Sequence, residues 1–184
     1  MIIAGIIILL FLVLTFWGIS TYNGFIRKRI MVKEGWSGIG TCLQQRNDLI
    51  PNLVETVKGY AKHEQKTLEE VIKWRNQSVS AATPEQQEKA QEGLNKAMMN
   101  VMALSEQYPD LKANTNFLQL QTDLTAIEEK VNLARRYYNG TVRDYNTALG
   151  IFPSNILAGM FNFGPEVFFQ EEESAKAVPK VNFN

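Results

Sequence analysis

The start of the chain is almost entirely apolar over residues 2–19, and the first charged residue is Arg27. At roughly 1.5 Å per residue, a helix over this stretch is about 27 Å long, close to the hydrocarbon thickness of a bilayer. Trp17 and Tyr22 lie where interfacial aromatic residues belong. A cleaved signal peptide is the competing interpretation, but it requires basic residues before the apolar stretch, and none is present. The pattern therefore predicts an uncleaved transmembrane anchor over residues 1–26.

A heptad repeat follows the anchor without a change of phase. Its two rows are Tyr22, Arg29, Trp36, Leu43, Ile50 and Val57, and Phe25, Val32, Ile39, Arg46, Leu53 and Tyr60. Such a pattern is typical of a helix that packs along one seam, and only Arg29 and Arg46 are polar in it. Because the repeat stays in phase across Pro51, we expect one continuous helix with a kink there rather than a break.

Further helices are predicted after a boundary at residues 59–63. A stripe of Leu68, Val71, Ile72 and Arg75 indicates a second helix up to about Ser80, and a third helix is indicated by Leu94, Ala97, Met98, Val101, Leu104 and Tyr108. Thr83 then fits an N-cap, with Pro84 in the first turn and Gln86 completing a capping box. We expect this third helix to end at residues 108–110, where a proline follows Tyr108.

The last long helix has the most regular pattern. Asn114 or Thr115 can cap its start, and Gly150 is expected to end it. Its apolar rows are Phe117, Leu124, Val131, Tyr138 and Tyr145, with Leu120, Ile127, Ala134, Thr141 and Ala148 beside them. Four amphipathic helices with short connections favour an all-α fold, namely an N-terminal transmembrane helix followed by an antiparallel up-and-down four-helix bundle. We assign residues 1–26 to the anchor, 27–149 to the bundle, and 150–184 to an aromatic segment and tail.

The aromatic segment is unusually apolar for a surface region. Pro153 and Ser154 can start a short helix, and apolar residues recur at helical spacing after Gly150. We expect the segment to lie at the membrane interface, against a neighbouring protomer, or as a cap over the open end of the bundle. Its candidate interaction residues are Phe161, Phe163, Phe168 and Phe169. The acidic run at residues 171–173 is expected to be a solvated tail.

Composition removes most kinds of chemistry. Lys+Arg and Asp+Glu both total 19, so the net charge is zero and nothing points to nucleic acid as a partner. A single cysteine, Cys42, excludes a disulfide framework and multi-cysteine metal sites, and a single histidine, His63, excludes paired-histidine zinc sites. We therefore expect no cofactor and no metal.

Two sets of polar residues remain as candidates. His63 and Glu64 superficially resemble a general-base pair, although a histidine near a helix end is more often a surface residue. Arg46, Glu128 and Arg135 lie on or beside the apolar rows, where they can form ion pairs that fix helix register or can contact another protomer.

Basic residues on one side of the anchor predict its orientation. Arg27, Lys28, Arg29 and Lys33 follow the apolar stretch, and none precedes it. The positive-inside rule then places the N-terminus outside and the body in the cytoplasm of a bacterial inner membrane. A periplasmic body is the alternative.

Three motifs in this order resemble the LemA family. They are DLIPNLVETVKGYAKHE at residues 48–64, YPDLKAN at 108–114 with Phe117 and Leu120-Gln121 following, and ARRYYN at 134–139 with Val142 and Tyr145-Asn146 following. Tyr22-Asn23 and Trp36 also fit, whereas Gln45 stands where the family often has a second basic residue before Arg46. The resemblance spans nearly the whole chain.

This resemblance implies a bacterial single-pass membrane protein with an up-and-down four-helix bundle and no established enzymatic activity. It also implies association with a TPM-domain membrane protein or a membrane metalloprotease. We therefore predict a membrane-anchored interaction or scaffold protein that contacts the lipid bilayer and either forms a homo-oligomer or binds another membrane protein. The alternative is a hydrolase with an unfamiliar site near His63 and Glu64.

Overall fold

The computed structural model describes residues 2–169, and every helix or strand assigned within them is an α-helix. In chain order these are α1 (Ile2–Tyr60), α2 (Gln65–Ser80), α3 (Pro84–Ser105), α4 (Pro109–Lys112), α5 (Thr115–Gly150) and α6 (Ser154–Met160). The predicted all-α fold with a long apolar N-terminal helix is confirmed. The predicted solvated tail at residues 171–173 lies outside the described residues.

The first helix joins the apolar stretch to the rest of the chain without interruption. It is 59 residues long and includes Pro51 in its interior, so the expected continuity is confirmed. Its apolar window is 0% buried within the protein, and it is long and apolar enough to cross a membrane. Large apolar side chains such as Phe16 are exposed on its surface, an arrangement that suits lipid rather than water.

Two compact units divide the chain. One, which we call the anchor unit, comprises residues 2–39 and 134–168; the other, the bundle unit, comprises residues 40–133 and Phe169. Helices α1 and α5 contribute residues to both. The predicted boundaries at residues 26 and 149 follow sequence features rather than this packing and remain predictions.

Four long helices share the core of the bundle unit, and Leu111 of the short helix α4 is also buried in it. The other buried side chains of the core come from the second part of α1, from α2 and α3, and from the first part of α5. They include Ile50, Leu53, Val57, Leu68, Val71, Leu94, Val101, Phe117 and Leu124. These are the predicted seam positions, because residues at heptad spacing occupy one face of each helix. Ile72 departs from the pattern: it was placed on the stripe of α2 but is largely exposed.

Sequence-encoded caps fix the helix ends in this unit. Thr83 Oγ1 accepts from the Gln86 backbone N–H at 3.2 Å, and the Gln86 side chain accepts in turn from the Ala82 backbone N–H. Asn114 Oδ1 caps α5 by accepting from the Phe117 N–H at 3.0 Å. The predicted end of the third helix at residues 108–110 was wrong. Helix α3 ends at Ser105, and Pro109 starts α4 because proline suits the first turn of a helix as well as its stop.

Only two long helices form the anchor unit. Phe25, Val32 and Ile39 of α1 and Tyr138, Val142, Tyr145 and Leu149 of α5 are buried. The helices come close at Gly35, where an added Cβ would lie 3.2 Å from the Tyr138 Cα. The Trp36 and Tyr138 rings stand 5.7 Å apart between centroids. The rest of this unit is α6 and the segment that follows it.

Candidate interaction sites

A buried guanidinium lies at the polar seam position of the bundle unit. The Arg46 side chain is only 6% exposed, and its Nη2 lies 3.1 Å from Glu128 Oε2 on α5. Its Nη1 donates to Gln91 Oε1 at 2.8 Å and its Nη2 to Asn95 Oδ1 at 2.6 Å, both on α3. A buried cation tied to two helices at once stabilises only one alignment of α1, α3 and α5. The structure thus brings together Arg46 and Glu128, two of the residues singled out in the sequence.

This ion pair is one end of a larger buried polar layer. The Ser78 hydroxyl of α2 lies 3.0 Å from Asn47 Nδ2, 2.9 Å from Gln87 Nε2 and 2.8 Å from Gln91 Nε2. A hydroxyl has two lone pairs, so it can accept from two of these amides and donate to Asn47 Oδ1 if that amide turns over. Hydrogen bonds therefore link α1, α2 and α3 across the core.

Sequence reasoning missed this layer, although a signal was available. Gln87 and Gln91 stand one heptad before Leu94 and Met98, so extending the apolar rows of α3 backwards reaches two amides. Both side chains are buried, as is Ser78. Polar residues in register with a seam are the expected mark of a buried hydrogen-bonded layer.

A solvent-open groove runs beside the ion pair. One part, of about 320 Å³, is lined by Arg46, Asn95, Met98, Met99, Met102 and Glu128. A second part, of about 280 Å³, shares Arg46, Met102 and Glu128 and continues along α5. Methionine side chains are flexible and polarizable, so such walls adapt to apolar surfaces of different shape. The part lined by the three methionines is suited to contact with another apolar surface, whereas the part along α5 is lined mostly by polar residues, among them Gln121, Glu129 and Asn132.

An aromatic cluster forms the second candidate site, in the anchor unit. The ring of Tyr22 lies 4.9 Å from that of Phe161 and 5.5 Å from that of Phe163, and the rings of Phe25 and Phe163 are 5.2 Å apart. All three pairs have the edge-to-face geometry that aromatic quadrupoles favour. The segment after α6 therefore packs on α1 at the end of the predicted anchor.

Hydrogen bonds from side chains of α5 to the backbone of this segment hold it in place. The Asn146 side-chain amide both donates to the Glu166 carbonyl and accepts from the Glu166 N–H, each at 2.9 Å. The Tyr138 hydroxyl donates to the Val167 carbonyl at 2.7 Å. Arg29 Nε lies 3.8 Å from Glu166 Oε1, a long and partly exposed ion pair. Asn146 was part of a family-like motif in the sequence, and this two-way bond is a physical reason for an asparagine there.

Tyr145 is a buried phenol next to this hydrogen-bonded segment. Burial raises the pKa of its hydroxyl, Arg29 opposes that shift, and the Glu166 carboxylate adds to it. The neutral phenol is therefore favoured in the folded state. Stability from this group is fully present below the ordinary pKa of tyrosine and is lost as the pH rises from there through the higher folded-state pKa.

The remaining predicted residues differ in exposure. Phe168 is exposed, and Phe169 is buried. Arg135 is half-buried in the anchor unit. His63 is exposed in the turn between α1 and α2, with Glu64 half-buried beside it. Within residues 2–169, no group of three or more His, Cys, Asp or Glu side chains could hold a metal ion.

Comparison with known proteins places the chain. The LemA family profile matches residues 35–183. The protein LemA of Metamycoplasma hominis is 25% identical, over 90% of this chain and 78% of that protein. The magnetosome proteins MamQ 2 of Paramagnetospirillum magneticum and MamQ of Magnetospirillum gryphiswaldense are each 24% identical, over 82% of this chain. The chain spans 65% of the length of each of these two magnetosome proteins. It is a membrane-associated helical protein, and it belongs to the LemA family.

Proposed function

We propose that this protein is a membrane-anchored, non-catalytic scaffold of the bacterial envelope, which assembles with itself or binds another membrane protein. One observation carries the proposal: α1 passes from the apolar anchor into the packed helices as a single 59-residue helix. A flexible linker would merely tether a soluble domain to the membrane. A continuous helix instead joins the anchor to the packed core without a linker, which is useful to a protein that holds partners at the membrane.

The polar layer supports the same role. A buried ion pair rarely adds stability over a well-packed apolar core, and its best-attested use is to specify alignment. Arg46, Glu128 and the amides around Ser78 therefore favour one helix register over alternatives. A defined register keeps the surface of a scaffold constant from copy to copy.

The surface chemistry is also that of a binding protein. The methionine-lined groove beside Arg46 resembles the adaptable surfaces that bind apolar partners. By contrast, His63 is exposed in the turn between α1 and α2, and Glu64 is half-buried beside it. The His63→Ala variant should therefore complement a deletion strain as well as the unchanged protein does.

The partner and the orientation belong to the same proposal. We place the body in the cytoplasm and regard a TPM-domain membrane protein or a membrane metalloprotease as the first partners to test. Protease added to intact spheroplasts should leave the body whole. Digestion of the body under those conditions would mean that it is periplasmic.

Assembly is tested with the full chain extracted in a mild detergent. Size-exclusion chromatography with light scattering should give one species whose protein mass is two or more chain masses, or a complex of fixed stoichiometry with one of the two named partner classes. The complex should form again when the purified components are mixed. A monomer at every protein concentration, with neither partner class retained on mixing, would contradict the scaffold proposal.

A further inference from the structure

Exposed apolar side chains lie on and beside α6. Ile156 and Met160, four residues apart within the helix, are 55% and 69% exposed, so they share one face. Phe152, two residues before the helix begins at Ser154, is 80% exposed. Ala158, on another face of the helix, is 4% exposed. We call Phe152, Ile156 and Met160 the α6 stripe.

No charged residue interrupts this region. From Ile151 to Pro165 the chain contains no Asp, Glu, Lys or Arg, whereas Arg143 and Asp144 precede it and Glu166 follows it. A water-facing surface helix normally carries charge on its exposed side. The absence of charge coincides with the exposed apolar stripe, a combination that suits an apolar environment.

The end of α6 explains how the stripe stays outward while the following residues turn inward. Asn162 adopts a left-handed conformation with φ of 54°. The Phe163 N–H donates to the Ala158 carbonyl at 3.0 Å, and the Asn162 N–H to the Gly159 carbonyl at 3.4 Å. These bonds form a Schellman motif, which reverses the chain at the helix end. Phe163 is thereby directed onto Tyr22 and Phe25 of α1.

This contact fixes the level of α6 along the anchor. Tyr22 is in ring contact with Phe161, the residue directly after α6. Position 22 lies about 4.5 Å along the helix axis beyond position 19, where the apolar stretch ends. The interfacial layer on each side of the hydrocarbon core is roughly 5 to 8 Å thick. Tyr22, and with it the end of α6, therefore falls within the interfacial layer when the anchor spans the membrane.

We propose that the α6 stripe inserts into the interfacial layer of the bilayer beside the anchor, as a second membrane contact of the same chain. The occupant is lipid because Phe161, which directly follows Met160 of the stripe, contacts Tyr22 at the end of the apolar stretch, and because this contact lies at headgroup depth. Aromatic and aliphatic side chains are favourable there. Two contacts restrict the tilt and rotation of α1 in a way that one helix alone does not. The inference rests on the anchor and not on the scaffold role, so either can fail without the other.

Depth measurement on the full chain in phosphatidylcholine and phosphatidylglycerol liposomes tests the proposal. Cys42 is first replaced by serine, and a single spin label is attached at Phe152→Cys, Ile156→Cys or Met160→Cys. Collision rates with oxygen and with a water-soluble nickel chelate then report depth. Phe16→Cys gives the reference for the hydrocarbon core, and Thr147→Cys, an exposed polar position in the same unit, is the matched aqueous control.

The three stripe positions should show nickel accessibility several-fold below that of position 147, with raised oxygen accessibility. Values equal to those at position 147 would overturn the proposal. Low accessibility to both reagents that disappears on dilution with lipid would show that a second copy covers the stripe, and would also overturn it.

A variant with two added charges on the stripe controls for the possibility that the spin label itself changes the depth of the site. With the label at position 160, the pair Phe152→Glu and Ile156→Glu should restore nickel accessibility while the helical circular dichroism and the melting temperature stay unchanged. Asn155→Glu, on the exposed surface of α6 but off the stripe, should leave the depth at position 160 as it was. Unchanged depth in the paired variant would contradict insertion.

Discussion

The two units of this protein stabilise the same pair of long helices with different chemistry. In the bundle unit, α2 and α3 share a core with α1 and α5, and a buried polar layer around Arg46 and Ser78 joins these helices through hydrogen bonds and an ion pair. In the anchor unit no further long helix is present among the described residues. There an irregular segment packs its aromatic rings on α1 and bonds its backbone to Asn146 and Tyr138. In the anchor unit, hydrogen bonds from side chains to the backbone therefore hold the irregular segment in position.

The difference predicts how each unit responds to substitution. A bundle core depends on apolar volume and on complete pairing of its few polar groups. A segment held by a few hydrogen bonds and ring contacts can be released locally without loss of the core. Four sets of variants test this contrast, in order of decreasing expected effect.

Charge in the bundle core should have the largest effect. Leu53 is 0% exposed, so Leu53→Asp should lower the free energy of unfolding by roughly 3 kcal/mol or more. Leu53→Met keeps the volume and should cost less than about 1.5 kcal/mol. Thermal unfolding in detergent, followed by circular dichroism, compares the two. Equal melting temperatures would show that Leu53 is not in the core.

Loss of the buried guanidinium comes next. Arg46→Met leaves the acceptors of Gln91, Asn95 and Glu128 unmatched. Because Glu128 is 35% exposed and can be rehydrated, we expect a cost of about 2 to 3 kcal/mol rather than the full cost of a wholly buried pair. Combining Arg46→Met with Glu128→Leu should recover part of that loss. No recovery in the double variant would mean that the pair is not coupled.

Release of the aromatic segment should be smaller and local. Asn146→Ala removes both bonds to the Glu166 backbone and should cost about 2 kcal/mol, while Asn146→Asp keeps only the acceptor and should fall between. Amide hydrogen exchange around residue 166 measures the opening. Asn155→Ala, at an exposed amide of the same unit, is the control and should change nothing. Protection at residue 166 that survives Asn146→Ala would refute the role of this bond.

The close approach of α1 and α5 gives the smallest effect and a change of sign. Gly35→Ala places a Cβ 3.2 Å from the Tyr138 Cα and should cost about 1 kcal/mol. Gly38→Ala, one turn further and with nothing within 4 Å, should instead stabilise the helix by up to about 1 kcal/mol. The two melting temperatures should therefore move in opposite directions. If both melting temperatures moved in the same direction, the close approach of α1 and α5 at Gly35 would be contradicted.

The heptad spacing predicted the apolar seams well, because residues that face one core recur at a regular interval that the sequence shows directly. Leu53, Val57, Phe117 and Val131 are all buried where their rows require it. The caps at Thr83 and Asn114 could also be predicted from the sequence, since each is a contact within one turn of its helix.

Contacts between residues that are distant in the sequence could not be predicted in the same way. Neither the bond from Gln91 to Ser78 nor that from Asn146 to Glu166 follows from local pattern, because each depends on how separate elements pack. Phe168 and Phe169 illustrate the limit: the two adjacent aromatic residues have opposite burial. Composition indicated an apolar segment there but could not say which ring is covered.

Residue-resolved hydrogen exchange of the full chain in lipid nanodiscs tests most directly the claim that different chemistry holds the two units. Arg46→Met should raise exchange in α2, α3 and the first part of α5, and leave the amides near residues 163–167 protected. Asn146→Ala should do the reverse. If both variants raise exchange over the same residues and to the same extent, the units are not held separately and the account is wrong.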